Sequence, residues 1–311
     1  MESRLKVYLG PTYHRTSVVE METIPPTQLP WSYVYADYLD REFDITNTSY
    51  YHDMTRYIHG SPHLYHRKFL FYPKDRVESF PVPTLVKSRP IHDHGESILL
   101  NMNYKRHFAE VFDVDRLDIP YEDKKEVLVW RGAATGYGFG NNIPFRETSR
   151  EHLVRTYHDS PSPHLDIALS PISDPVKKEK YSFLSRKTIP LSSLLQHKYV
   201  LSVEGNDVAT NLKWILYSNS IPFCTPFTMQ SWILEDQLEP WRHYIPIQSD
   251  FSDMEDKLDW ARNHPKECQE IARQGRAYMT TFMDVKAERL LIKRLLDIYA
   301  QNVRVIPAPV N

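Results

Sequence analysis

The chain has 311 residues, 41% hydrophobic and 25% charged, with a formal net charge of −2. These values fit a globular chain of one large or two medium domains, and they exclude a global basic field for nucleic acid or an anionic membrane. The two cysteines make no disulfide framework, no apolar run approaches a membrane span, and the opening MESRLKVYLG lacks the apolar core of a signal peptide. The expected setting is therefore a reducing cytosol.

Taken in order, residues 5–9 (LKVYL) read as a strand, and Pro25, Pro26 and Pro30 mark a loop. Residues 31–39 fit a strand or a short helix. His59, His63 and His66 have metal-like spacing, but no cysteine or matching acid lies beside them, so surface or substrate-lining histidines are expected. Residues 68–73 (KFLFYP) predict a strand that delivers Lys74, Asp75 and Arg76 to its end, and residues 83–87 (PTLVK) predict another. Residues 110–123 are thick with acids and read as a solvated connector, although Asp113-Val114-Asp115 is a D-x-D triplet of the kind that can hold a metal.

Residues 127–130 (VLVW) predict a strand that runs into RGAATGYGFGNN. The chain has only nine glycines, and Gly132, Gly136, Gly138 and Gly140 fall in this one loop, which implies unusual backbone angles or close approach to a ligand. A helix over 146–157 and a strand over 165–169 follow. Residues 171–185 read as a polar connector in which Lys177, Lys178 and Lys180 form a solvated face.

Residues 198–216 (KYVLSVEGNDVATNLKWIL) organise the rest. They read as a buried strand over 198–203, a turn at Glu204, Gly205 and Asn206, and a helix capped by Asp207. Such a unit can bind an anion at the helix N-terminus, although most binds nothing. Short strands at 221–223 and 244–247 come next. Three helices close the chain: one with a Ser252-x-x-Glu255 capping box, one started by Pro265, and one capped by Asp284 with Leu290, Leu291, Leu295 and Ile298 as its apolar side. Strands alternating with helices from residue 127 onward argue for an α/β fold with a mostly parallel sheet, its ligand between the Gly132 and Gly205 turns.

Three stretches together resemble the CAP10-type glycosyltransferases, family 90: VWRGAAT at 129–135, residues 198–216, and EPWRHYIPIQSD at 239–250. PTLVKSRPI at 83–91 and YKRHF at 104–108 are also similar to its bacterial branch. The resemblance implies a GT-B-like fold, two Rossmann-like domains facing a cleft. Residues 1–124 would bind the acceptor, residues 125–284 the UDP-sugar, and a helix over 285–305 would pack back on the first domain. It implies inverting transfer of a sugar, xylose ahead of glucose, to a hydroxyl of a glycan or glycoprotein, with no cofactor and no metal.

Residue by residue, the resemblance places Arg131, Gly132, Ala133 and Thr135 in the donor loop and Arg150 on the diphosphate. Glu204, Gly205 and Asn206 would form the turn beside the donor. Asn211 stands where the family commonly has arginine, with Lys213 as the candidate replacement. Asp75 aligns with the catalytic base. From pattern alone Asp75 reads as a turn aspartate paired with Lys74 or Arg76, Arg150 as a surface residue paired with Glu147 or Glu151, and Arg131 as a loop brace. The alternative function is a non-catalytic carbohydrate-binding protein that stacks its many Tyr and Trp rings on sugars.

Overall fold

A computed structural model describes residues 1–20, 33–35, 48–59, 61–65, 67–75, 77–136 and 149–306. The expectations over Pro25, Pro26, Pro30, His66, Arg76, Gly138, Gly140 and residues 146–148 fall outside these. The chain divides into two compact units, one of Met1–Lys105, Thr228–Leu234 and Phe282–Asn311, the other of Arg106–Phe227 and Glu235–Thr281.

The second unit is built on a five-stranded parallel sheet in the order Ile245–Pro246, Ile221–Cys224, His197–Ser202, Lys125–Gly132, Leu165–Leu169. Alternate side chains decide its two faces. Leu128, Trp130, Tyr199, Leu201 and Phe223 enter one core with Leu153, Val154, Leu258 and Ile271. Their neighbours Val129 and Val200 are buried as well, so both faces are covered, as parallel sheets require. In chain order the strands run 2-1-3-4-5, a doubly wound arrangement. The order reverses between Lys125–Gly132 and His197–Ser202, the two strands that end in the glycine turns.

The acidic segment before this sheet is not a solvated connector. It forms the helix Val111–Leu117, on which Asp115 accepts from the Tyr217 hydroxyl and pairs with Arg276. Asp118, just beyond it, pairs with the buried Lys124 and accepts from the Asn219 N–H at 2.7 Å. These ties carry the unit back to Arg106, where the sequence reading starts it at 125. The polar connector also holds structure, the helix Pro175–Tyr181, capped by the Asp174 carboxylate on the Lys177 N–H. Further on, the helix Met254–Asn263 lacks the expected capping box, because Ser252 Oγ turns to Gln248 and Asp250 instead. Pro265 does open the helix Pro265–Thr280.

In the first unit, residues 5–9 are helical rather than extended. Within Glu2–Leu9 the buried side chains are Leu5, Tyr8 and Leu9, a spacing of three and four that only a helix puts on one face. The helix Val285–Asn302 packs against it and is capped by Asp284, which accepts from the Lys286 and Ala287 N–H groups. Leu291, Leu295 and Ile298 face inward, whereas Leu290 is exposed. The strand Val303–Ile306 then pairs in parallel with Ser17–Glu20. Lys68–Leu70 pairs antiparallel with Tyr33–Tyr35, Phe80–Val86 in parallel with Gly95–Leu99, and Ser88–Pro90 antiparallel with Met229–Ser231.

Among the described residues these are two-stranded ladders, bridged once at Phe71 and Leu85, so the unit is α/β without one continuous doubly wound sheet. Pro81, Pro83 and Pro90 lie on these strands and remove N–H donors that a continuous ladder needs, and the Phe80–Val86 pairing shifts register. No helix among the described residues is long and apolar enough to cross a membrane.

Candidate active site

The sheet brings two chain-distant turns together at its switch point. The first, residues 132–136, leaves the strand Lys125–Gly132; the second, residues 203–206, leaves His197–Ser202. Arg150, second residue of the helix Ser149–Tyr157, ties them. Its Nε donates to the Glu204 carbonyl at 3.1 Å and one terminal nitrogen to the Val203 carbonyl at 2.7 Å. The other reaches the Ala133 carbonyl at 3.3 Å and Thr135 Oγ1 at 3.1 Å. The guanidinium also lies 5.7 Å from the Trp130 ring centroid.

Asn206 adds a second tie, its Oδ1 accepting from the Gly136 N–H at 3.1 Å. Gly136 has φ of 125°, a region that side-chain-bearing residues rarely enter. Arg150, a surface helix residue from pattern alone, is thus engaged with both turns. It is the clamp of a cradle formed by Ala133, Thr135, Glu204, Gly205 and Asn206. Gly132 serves packing: a Cβ there would run into the Trp130 indole.

Three other residues assigned to the donor are occupied in holding the unit together. Arg131 donates twice to the Asp166 carboxylate at 2.8 Å and to the carbonyls of Trp130 and Asp166. Burial alone would raise the Asp166 pKa, but the hydrogen bonds and charge of Arg131, then those of Arg186, bring it below the usual carboxylate range. Asn211 donates to the Leu201 carbonyl and accepts from Ser202 Oγ. Lys213 is fully buried, 3.5 Å from the buried Glu235. The helix itself, Leu212–Tyr217, begins after Asn211 and spans six residues, so Asp207 does not cap it and its N-terminus is not at the Gly205 turn. The pKa of the buried Cys224 thiol is pushed well up, first by burial and then by the Glu204 charge, which disfavours a thiolate there.

Next to the cradle lies a cavity of about 310 Å³ at the carboxyl ends of the first three strands. Thr135, Gly136 and Asn206 line it from the two turns, Lys177, Lys180 and Tyr181 from the connector helix, and Glu151 from the helix Ser149–Tyr157. Glu151 accepts from Tyr181 and Arg155 and pairs with Lys180. Burial pushes its pKa up, and these partners outweigh that and hold it low. The lysines were visible in the sequence as a basic run. Reading them as a binding wall required the sheet order, which sets Leu165–Leu169 beside the glycine strand and brings the helix that follows it over the loop.

In the first unit, Asp75 lies beyond the Lys68–Leu70 strand. It pairs with the buried Lys87, the lysine of the PTLVKSRPI stretch. The adjacent Arg89, also buried, donates to the Val7 and Tyr8 carbonyls at the C-terminal end of the first helix and to the Ser97 carbonyl. The D-x-D acids diverge on their helix: Asp113 pairs with Arg116, Asp115 with Arg276. Among the described residues no group of three or more metal-ligating side chains comes together.

The sequence pattern of Glycosyl transferase family 90 matches residues 101–309. The O-glucosyltransferase LpsA of Dichelobacter nodosus is 32% identical over 242 residues, covering 78% of this chain and 69% of that protein. Uncharacterized protein 179R of Invertebrate iridescent virus 6 is 26% identical over 220 residues, 62% of this chain and 18% of that one. Protein O-glucosyltransferase 2 of Danio rerio is 29% identical over 115 residues, 37% of this chain and 23% of that one. The chain thus spans about two thirds of the bacterial relative and less than a quarter of the other two.

Proposed function

Because the chain belongs to glycosyl transferase family 90, we propose that it transfers a sugar from a UDP-sugar to a hydroxyl of a glycan or glycoprotein acceptor, with inversion and without a metal. The observation that carries this reading is the Arg150 clamp, which assembles two turns at the carboxyl ends of the two strands flanking the switch point, where doubly wound sheets bind nucleotides. The second unit is assigned the donor. The first is assigned the acceptor and the base, in keeping with a GT-B-like enzyme.

The chemistry is a single displacement. The acceptor oxygen attacks the anomeric carbon, the bond from that carbon to the β-phosphate oxygen breaks, and UDP leaves. Asp75 takes the hydroxyl proton, and its ion pair with the buried Lys87 orients the carboxylate. Charge growing on UDP meets the turn amides and the cations around the cavity. Arg131, Asn211 and Lys213 brace the sheet and the helix behind it. Metal independence rests on the engagement of Asp113 and Asp115 with arginines. The bacterial relative is an O-glucosyltransferase, which favours glucose over the xylose ranked first from sequence.

The test is UDP release from UDP-glucose and UDP-xylose without acceptor, in EDTA. Slow release is expected, faster with glucose. A carbohydrate-binding protein releases no UDP, and release that needs added Mg²⁺ or Mn²⁺ contradicts the metal-free mechanism.

A further inference from the structure

Resting on the nucleotide-sugar reading, we propose that Lys177 is the cationic contact to the donor's diphosphate, supplied by the connector helix Pro175–Tyr181. A diphosphate needs charged donors, and among the described residues the other cations around the site already have partners. Arg131 is held by Asp166, Lys213 lies buried beside Glu235, and Arg150 spans four oxygens of the two turns. Arg186 is bound to Asp166 and to the His158 carbonyl. Lys180 lines the cavity, but its charge is answered by Glu151.

Lys177 differs. Its Nζ donates to a neutral oxygen, the Ala134 carbonyl, at 2.9 Å, and among the described residues no carboxylate pairs with it. That bond sets the ammonium on the glycine turn itself, in a cavity that Thr135, Gly136 and Asn206 also line. An ammonium has three donors, so it keeps this carbonyl and still reaches a phosphate oxygen. The side chain is exposed and contributes nothing to the core, so its substitution leaves the fold intact. Lys178, next in sequence on the same helix, does not line the cavity and controls for a general loss of positive charge.

The experiment is calorimetric titration of UDP and of uridine into the wild type, Lys177→Ala, Lys177→Arg and Lys178→Ala, with thermal midpoints measured alongside. Loss of one charge-assisted contact corresponds to a drop on the order of 10- to 100-fold in affinity. Lys177→Ala is expected to lose that much for UDP and nothing for uridine. Lys177→Arg keeps most of the UDP affinity, Lys178→Ala keeps all of it, and no midpoint moves. Wild-type UDP affinity in Lys177→Ala, equal loss for UDP and uridine, or an equal loss in Lys178→Ala overturns the assignment alone. A wild type that binds no UDP overturns the nucleotide-sugar reading, and this inference with it.

Discussion

The Arg150 guanidinium lies directly over Gly205: a Cβ added at that glycine would stand 2.9 Å from Arg150 Cζ. The atoms in its way are the end of a flexible side chain, so the fold yields cheaply, but Arg150 must then give up the Val203 and Glu204 carbonyls. Gly205→Ala is expected to change stability by less than about 1 kcal/mol while weakening UDP by about tenfold or more. Denaturant midpoints and calorimetry check the two halves separately. Unchanged UDP affinity would mean that the clamp does not shape the nucleotide site.

Gly132→Ala has the opposite profile. The neighbour there is the indole of Trp130, which is buried in the sheet core and cannot swing away. Forcing a methyl group against it costs about 1–3 kcal/mol, the usual range for overpacking. The measurement is the urea midpoint at constant m-value, and a midpoint equal to wild type would show that the ring has room to move.

Much of the second unit is legible in its residues. β-branched and aromatic runs mark the strands at 127–130, 165–169, 198–203 and 221–223, and each lies within one or two residues of its observed bounds. The two glycine turns are legible too. What they meet is not, because sheet order arises from pairings across the chain: Arg131 pairs with an acid 35 positions on, and Lys177 reaches Ala134 over 43. LKVYL reads as a strand because it carries β-favouring Val and Tyr, and the burial of Leu5, Tyr8 and Leu9 in a helix packed on the last helix overrides that preference. Asp75 could be picked out at a strand end, but its partner Lys87 lies twelve residues away and becomes a neighbour only after folding.

Asp166 makes the acid limb of stability testable. Its folded pKa is below its ordinary value, so its contribution is fully present above about pH 4 and is lost as pH falls through the folded value. Asp166→Asn should cost about 1–3 kcal/mol at pH 7 and flatten the fall in stability below pH 4. Urea melts from pH 7 down to pH 3 decide it, and an unchanged acid slope would remove Asp166 as its source.

Asp75→Asn keeps the shape of the side chain and removes its basicity. Turnover should fall by about 10²- to 10⁴-fold, with UDP affinity unchanged. Coupled UDP-release kinetics and calorimetry on the same preparation check this. Wild-type turnover in the variant would exclude Asp75 as the base and leave the buried Lys87 pair a structural one.

The central claim, that Arg150 assembles the nucleotide site from two turns, is met most directly by titrating UDP and uridine into wild type and Arg150→Ala. The clamp holds the whole cradle rather than one phosphate, so the variant should lose about tenfold or more for both ligands, unlike Lys177→Ala, which should lose only UDP. If Arg150→Ala binds UDP and uridine as tightly as the wild type, the nucleotide is not bound at the switch point and the account is wrong.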